Sequence, residues 1–187
     1  MATVVLFHHA QGLTPGVHWF ADELRSAGHD VVTPDLYDGE TFDSLPVGVA
    51  YAEQIGMEAL AERGAEAVAD LPGGFVVAGF SLGVMPAQRV AQTRPGVRGA
   101  ILYHGAVPPE VFGGWPDEVP VQAHAGASDD WGDLDVVEQL VAQVPDGELF
   151  VYPTAGHLVA DNSLDEFEPQ TAALILGRTT AFLDRVG

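Results

Sequence analysis

Short runs of β-branched and aromatic residues alternate along the chain with longer segments whose apolar positions recur at helical spacing. The short runs predict strands at Val4 to Phe7, Asp30 to Thr33, Phe75 to Ala78, Ala100 to Tyr103, Val121 to Ala125 and Glu148 to Tyr152. The periodic segments predict helices near Pro15 to Ala27, Val49 to Leu71, Leu82 to Thr93, Leu134 to Gln143 and Pro169 to Val186. Breakers fall where these helices should stop: Gly28 after the first, Pro72-Gly73-Gly74 after the second and Pro95-Gly96 after the third. The alternation of strands with helices specifies βαβ units, so the expected architecture is a doubly wound, mainly parallel sheet of about six strands. Two irregular stretches, Asp35 to Gly48 and Val107 to Pro120, are expected as loops near the strand ends.

Length and composition narrow this picture without changing it. At 187 residues, 47% of them hydrophobic, the chain supports one core, and residues 1–187 are read as a single domain. Seven Lys and Arg against 27 Asp and Glu give a formal net charge of -20, which repels phosphate backbones and anionic lipid headgroups. Nucleic acid and membrane partners are therefore not expected. With no cysteine the chain forms neither disulfides nor thiolate metal sites. The apolar run Thr3 to Phe7 is short, has no basic residue ahead of it and leads straight into His8 and His9, so the reading is cytoplasmic.

Chemistry enters at Gly79-Phe80-Ser81-Leu82-Gly83, a G-x-S-x-G pattern placed directly after a predicted strand and before a predicted helix. That context is a sharp turn holding a hydroxyl above the sheet, with the start of a helix favouring an oxyanion nearby. Ser81 is the candidate nucleophile. A serine hydroxyl needs an imidazole to take its proton and a carboxylate to fix that imidazole's tautomer. Three histidines follow it in the chain. His104 closes a strand and His124 lies within one, whereas His157 sits in a loop after the last strand, at the end of the sheet where Ser81 is expected. His157 is the candidate base. The acid should follow the fifth strand, where Asp129 and Asp130 stand side by side; Asp129 is preferred, with Asp130 capping the next helix or facing solvent.

The oxyanion donors expected for such a site are backbone N–H groups, at Leu82 after the nucleophile and at Ala10 after the first strand. His8 and His9 diverge as neighbours and lack a third ligand at metal spacing, so no metal is assigned; the chemistry needs no cofactor. His9, at the C-terminal end of the first strand, is a candidate pocket residue. Tyr37, Trp115 and Trp131 in the loops are aromatic candidates for the same pocket.

Taken together, Val5-Leu6-Phe7-His8-His9-Ala10-Gln11-Gly12, Thr33-Pro34-Asp35-Leu36-Tyr37, the Ser81 pentapeptide, Gly126-Ala127-Ser128-Asp129 and Ala155-Gly156-His157 resemble the dienelactone hydrolase family over nearly the whole chain. The resemblance implies a compact α/β-hydrolase fold with minimal or no lid that opens esters or lactones of small molecules through an acyl-enzyme. Ser81, Asp129 and His157 take the triad positions. Dienelactone hydrolase itself carries cysteine where this chain has Ser81, and a glutamate after its first strand where this chain has His9; its substrate-binding arginines have no counterpart here. Two other readings remain at this level: a non-catalytic member of the fold that binds a small ligand, and a thioesterase or other acyl hydrolase.

Overall fold

The central strands are apolar at nearly every position because helices cover both faces of the sheet, and successive side chains point to opposite faces. In the computed structural model, which describes residues 1–187, the strands are Thr3–Phe7 (β1), Asp30–Val32 (β2), Phe75–Phe80 (β3), Val97–Tyr103 (β4), Val121–Gly126 (β5) and Gly147–Tyr152 (β6). The helices are Pro15–Ser26 (α1), Leu45–Ile55 (α2), Met57–Ala67 (α3), Val84–Thr93 (α4), Leu134–Gln143 (α5) and Pro169–Val186 (α6). All pairings are parallel, in the order β2-β1-β3-β4-β5-β6. Val5, Phe7, Val77, Leu102 and Ala123 face one core layer, closed by residues of α2 to α5. Val4, Leu6, Val76, Ala78 and Ile101 face the other, closed by α1 and α6. There Phe20 meets Phe80 and Tyr103 edge-on, with centroids 5.0 and 5.4 Å apart. Complete burial of one such ring contributes about 2 to 3 kcal/mol.

One predicted helix is two. Where the periodicity runs from Val49 to Leu71, the backbone turns at Gly56, whose φ of 96° lies outside the helical region and separates α2 from α3. Helix α2 also starts earlier than expected, so the irregular stretch after β2 ends at Ser44. Between Tyr103 and Val121 only a 3-10 turn, Pro109–Phe112, interrupts the loop, and no inserted helical lid covers the strand ends. No helix is long and apolar enough to cross a membrane.

The topology fixes where a site is possible. From β1 the chain moves to β2 on one side, then returns across to β3 on the other. The loops leaving β1 and β3 therefore part in opposite directions and open a crevice at the carboxyl ends of those two strands. The segment His8 to Gly12 lies on one side of it and Ser81 on the other.

Candidate active site

Ser81 directly follows β3 with φ 48°, a left-handed conformation costing on the order of 1 to 2 kcal/mol for a residue with a β-carbon. A 3-10 turn, Ser81–Gly83, then leads into α4. The two motif glycines make this turn possible. A β-carbon on Gly79 would overlap the Gly83 carbonyl, and one on Gly83 would lie 2.5 Å from the Phe7 oxygen and 2.7 Å from the His8 oxygen. These obstacles are backbone atoms that cannot rotate away. Gly83→Ala is accordingly expected to lower stability by about 3 kcal/mol, measured as the change in urea unfolding free energy; a loss below about 0.5 kcal/mol would show that the turn has room to spare.

A hydrogen-bonded chain leads inward from the serine. His157 Nε2 lies 2.7 Å from Ser81 Oγ, and His157 Nδ1 lies 2.7 Å from Asp129 Oδ2. With Nδ1–H donating to the carboxylate, Nε2 is left to accept from the hydroxyl. The loop carrying His157 is held at its own backbone, where the His157 N–H donates to Glu166 at 2.8 Å. Asp129 also accepts from the Trp131 N–H at 3.0 Å. Burial alone would push the Asp129 carboxyl up, but the His157 hydrogen bond and charge, with the Trp131 and Gly132 N–H groups, hold it below the usual carboxylate range. Asp130 faces solvent and does not cap α5, whose first turn is capped by Asp133 accepting from the Val136 N–H at 3.2 Å.

Across the crevice, Ala10 is buried in a small apolar cluster with Leu45, Leu158 and the half-buried Leu82. Its N–H donates to no acceptor in the protein. A buried N–H without a partner is rare, and here it stands beside the serine turn. Helix α2 closes in behind it: a β-carbon on Gly48 would overlap the Ala10 carbonyl.

The other candidates differ in their surroundings. Tyr37 does not line the crevice, because its ring is fully buried in the core edge-on to His8, at 4.8 Å, and beside Tyr51. His9 is also fully buried, its Nε2 bonded to Asp161 at 2.8 Å and its Nδ1 accepting from the Gln11 N–H at 3.2 Å. His8 bonds through both ring nitrogens, donating to the His9 carbonyl at 2.8 Å and accepting from the Leu36 N–H at 3.0 Å. Neither imidazole has a nitrogen free for a metal. Trp131 is 54% exposed and walls a shallow depression with Asp130, Gly132, Asp133, Leu134 and Asp135. Trp115 packs against the core and donates its indole N–H to the Val119 carbonyl at 2.7 Å.

Two residues join the surroundings of the site that sequence reasoning did not place there. Asp161 is one. The other is His104, whose ring centroid lies 6.0 Å from that of His157, with φ 64° and Nε2 buried without a partner. Burial first, then the neighbouring His157, keeps His104 far below the ordinary histidine range and hence neutral.

The fold and geometry can be set beside known proteins. A dienelactone hydrolase-like promiscuous phosphotriesterase from metagenomic libraries superposes with a TM-score of 0.70 at 17% identity, covering 100% of this chain and 87% of that one. A Klebsiella pneumoniae protein assigned as a dienelactone hydrolase gives a TM-score of 0.77 at 18% identity, covering 99% of this chain and 87% of that one. These likenesses establish an α/β-hydrolase fold. A carboxymethylenebutenolidase from Rhodococcus opacus is 30% identical over 204 residues, covering 98% of this chain and 81% of the relative. The profile of the dienelactone hydrolase family matches residues 1–187, and the chain belongs to that family.

Proposed function

We propose that the protein is a serine hydrolase that cleaves ester or lactone bonds of small molecules through an acyl-enzyme on Ser81. The observation that carries this reading is the unbroken Ser81, His157, Asp129 chain at 2.7 and 2.7 Å, with the serine held at positive φ on the turn between β3 and α4. Family membership supports hydrolysis as the reaction class. The Rhodococcus relative is named a butenolidase, which supports including lactones among the substrates.

In acylation, Ser81 Oγ forms a bond to the substrate carbonyl carbon while its proton passes to His157 Nε2. The carbonyl oxygen becomes an oxyanion, and the Ala10 N–H, free of any protein acceptor, is available to meet it together with the Leu82 N–H. His157 then returns the proton to the alkoxide as the carbon–oxygen bond breaks, and the alcohol departs; in a lactone it stays tethered to the acyl group. Water attacks the acyl carbon as His157 takes one of its protons; the bond from that carbon to Ser81 Oγ then breaks, His157 returns the proton to Oγ, and the carboxylic acid departs. Asp129, ionised and buried, stabilises the imidazolium formed in each half.

The reading is tested by treating wild type and Ser81→Ala with a fluorophosphonate probe, then assaying both on short-chain p-nitrophenyl esters, lactones and thioesters. Wild type should label once per chain and turn over esters or lactones, and the variant should do neither. A wild type that neither labels nor turns over any of these would return the chain to the ligand-binding reading, and thioester turnover alone would make it a thioesterase.

A further inference from the structure

We propose that the buried His9–Asp161 pair is a positioning brace that fixes the Ala10 N–H relative to Ser81 and His157. The proposal rests on the reading above, in which that N–H meets the oxyanion. The Asp161 carboxylate is 4% exposed and accepts from His9 Nε2, from the Thr14 hydroxyl, and from the Ser163 N–H and hydroxyl. Those donors come from three segments: the exit of β1, the cap of α1 and the loop after His157. Burial alone would raise the carboxyl, yet the His9, Ser163 and Thr14 bonds hold it below the ordinary range, so the carboxylate stays charged in place. Space has been cleared for it as well, since a β-carbon on Gly16 would collide with its Oδ1.

The location of the pair separates a brace for catalysis from a general loop staple. Asp161 follows His157 by four residues, within a turn closed by the Asp161 N–H on the Leu158 carbonyl at 3.0 Å. His9 immediately precedes Ala10, and the two share one trans peptide plane. The His9 carbonyl on that plane accepts from the Gly12 N–H at 3.0 Å and from His8 Nδ1 at 2.8 Å. In a trans peptide the N–H points opposite to the carbonyl, so holding the His9 oxygen on one side aims the Ala10 N–H to the other. The His9 ring, bonded to Asp161 and to the Gln11 N–H, stops the residue from turning about this plane. Through Asp161, the segment carrying the oxyanion donor is tied to the segment carrying the base.

The test uses His9→Leu, His9→Gln and Gly16→Ala beside wild type and Ser81→Ala. Leucine removes the bond to Asp161, glutamine keeps an N–H within reach of it, and a β-carbon at position 16 displaces the carboxylate while leaving the His9 side chain in the sequence. Measured well below each variant's melting temperature, His9→Leu and Gly16→Ala should lower kcat by about 10- to 100-fold with KM within about threefold, because misplacing one donor acts on the transition state. His9→Gln should recover to within about tenfold of wild type. Hydrogen exchange at the Gln11 and Gly12 amides, both bonded to His9, should speed up in His9→Leu and Gly16→Ala and stay as in wild type in Ser81→Ala. Unchanged kcat in His9→Leu and Gly16→Ala, unchanged exchange, or glutamine behaving like leucine would each overturn the brace. A wild type that hydrolyses no ester would overturn the hydrolase reading instead, and the exchange measurement would still decide whether the pair sets this loop.

Discussion

Asp129→Asn is expected to lower kcat/KM by about 10⁴-fold while the protein stays folded. In the native site one carboxylate oxygen accepts from His157 Nδ1 at 2.7 Å and the other from the Trp131 N–H at 3.0 Å. An amide serves both only by keeping its oxygen on Trp131 and turning its NH₂ toward His157. Nδ1 must then accept, Nε2 carries the hydrogen, and the imidazole donates to Ser81 when it should take a proton from it. The reverse flip sets an NH₂ against the Trp131 N–H and is disfavoured. The loss is therefore one of tautomer, and KM should change little. Asp130→Asn is the matched control: its side chain faces solvent, and activity should stay within about twofold of wild type, as for surface substitutions in general. Steady-state kinetics on one ester decide it. If Asp129→Asn costs less than tenfold, the carboxylate does not hold the tautomer.

The same geometry shows how much of the site was written in the local sequence. The serine turn was legible because a strand, two glycines and a helix start are adjacent in the chain, and the glycines have local steric causes. His157 was legible by elimination, as the downstream histidine placed in a loop. Asp129 and Asp130 were separable only by preference, since side-chain direction in a loop depends on hydrogen bonds such as the one from Trp131. All six predicted strands and four of the helices lie within a few residues of their observed positions, since period and breakers agree there. The break at Gly56 was missed because an apolar period continues on both sides of it, and only a backbone angle divides them.

Contacts between distant segments stayed hidden. His9 and Asp161 are 152 positions apart, and nothing in either neighbourhood names the other. Tyr37 follows a polar turn in which Asp35 accepts from the Tyr37 N–H, and a loop tyrosine of this kind reads as a pocket residue. It is buried because α2 folds over it, bringing Tyr51 to 5.0 Å and filling the space that an open loop would have left. His104 directly follows β4 and His124 lies within β5, both buried. The closeness of His104 to His157 comes from strand order, which seats the ends of β4 and β5 around the His157 loop.

Stability is expected to fall steeply as pH drops from about 6.5 toward 4, before most carboxylates titrate. His8 is lowered to about 4 and His124 to about 3, each chiefly by burial, and His104 is pushed well below its ordinary value for the same reason. Hydrogen bonding in His8 and His124 matches the neutral ring. His8 Nε2 already accepts from the Leu36 N–H, and His124 pairs one nitrogen with Tyr152 at 2.8 Å and the other with Gln122 at 3.0 Å. The sign follows from proton counting. Below about pH 6.5 the unfolded chain binds protons at these three histidines that the folded chain refuses, so stability declines with falling pH until the folded values are reached. Each contributes up to about 1.4 kcal/mol per pH unit, or about 4 for the three together. The net charge of -20 works the other way, since protonating carboxylates relieves repulsion, but that relief begins only near the carboxylate range, where Asp129 and Asp161 resist it. Between about pH 6.5 and 5 the histidines therefore dominate. Urea unfolding at half-unit pH steps measures the slope directly, and His124→Phe should make it shallower by about one proton even though its absolute stability is lower. A flat profile down to pH 5 would mean that these three rings accept protons without leaving their places in the core.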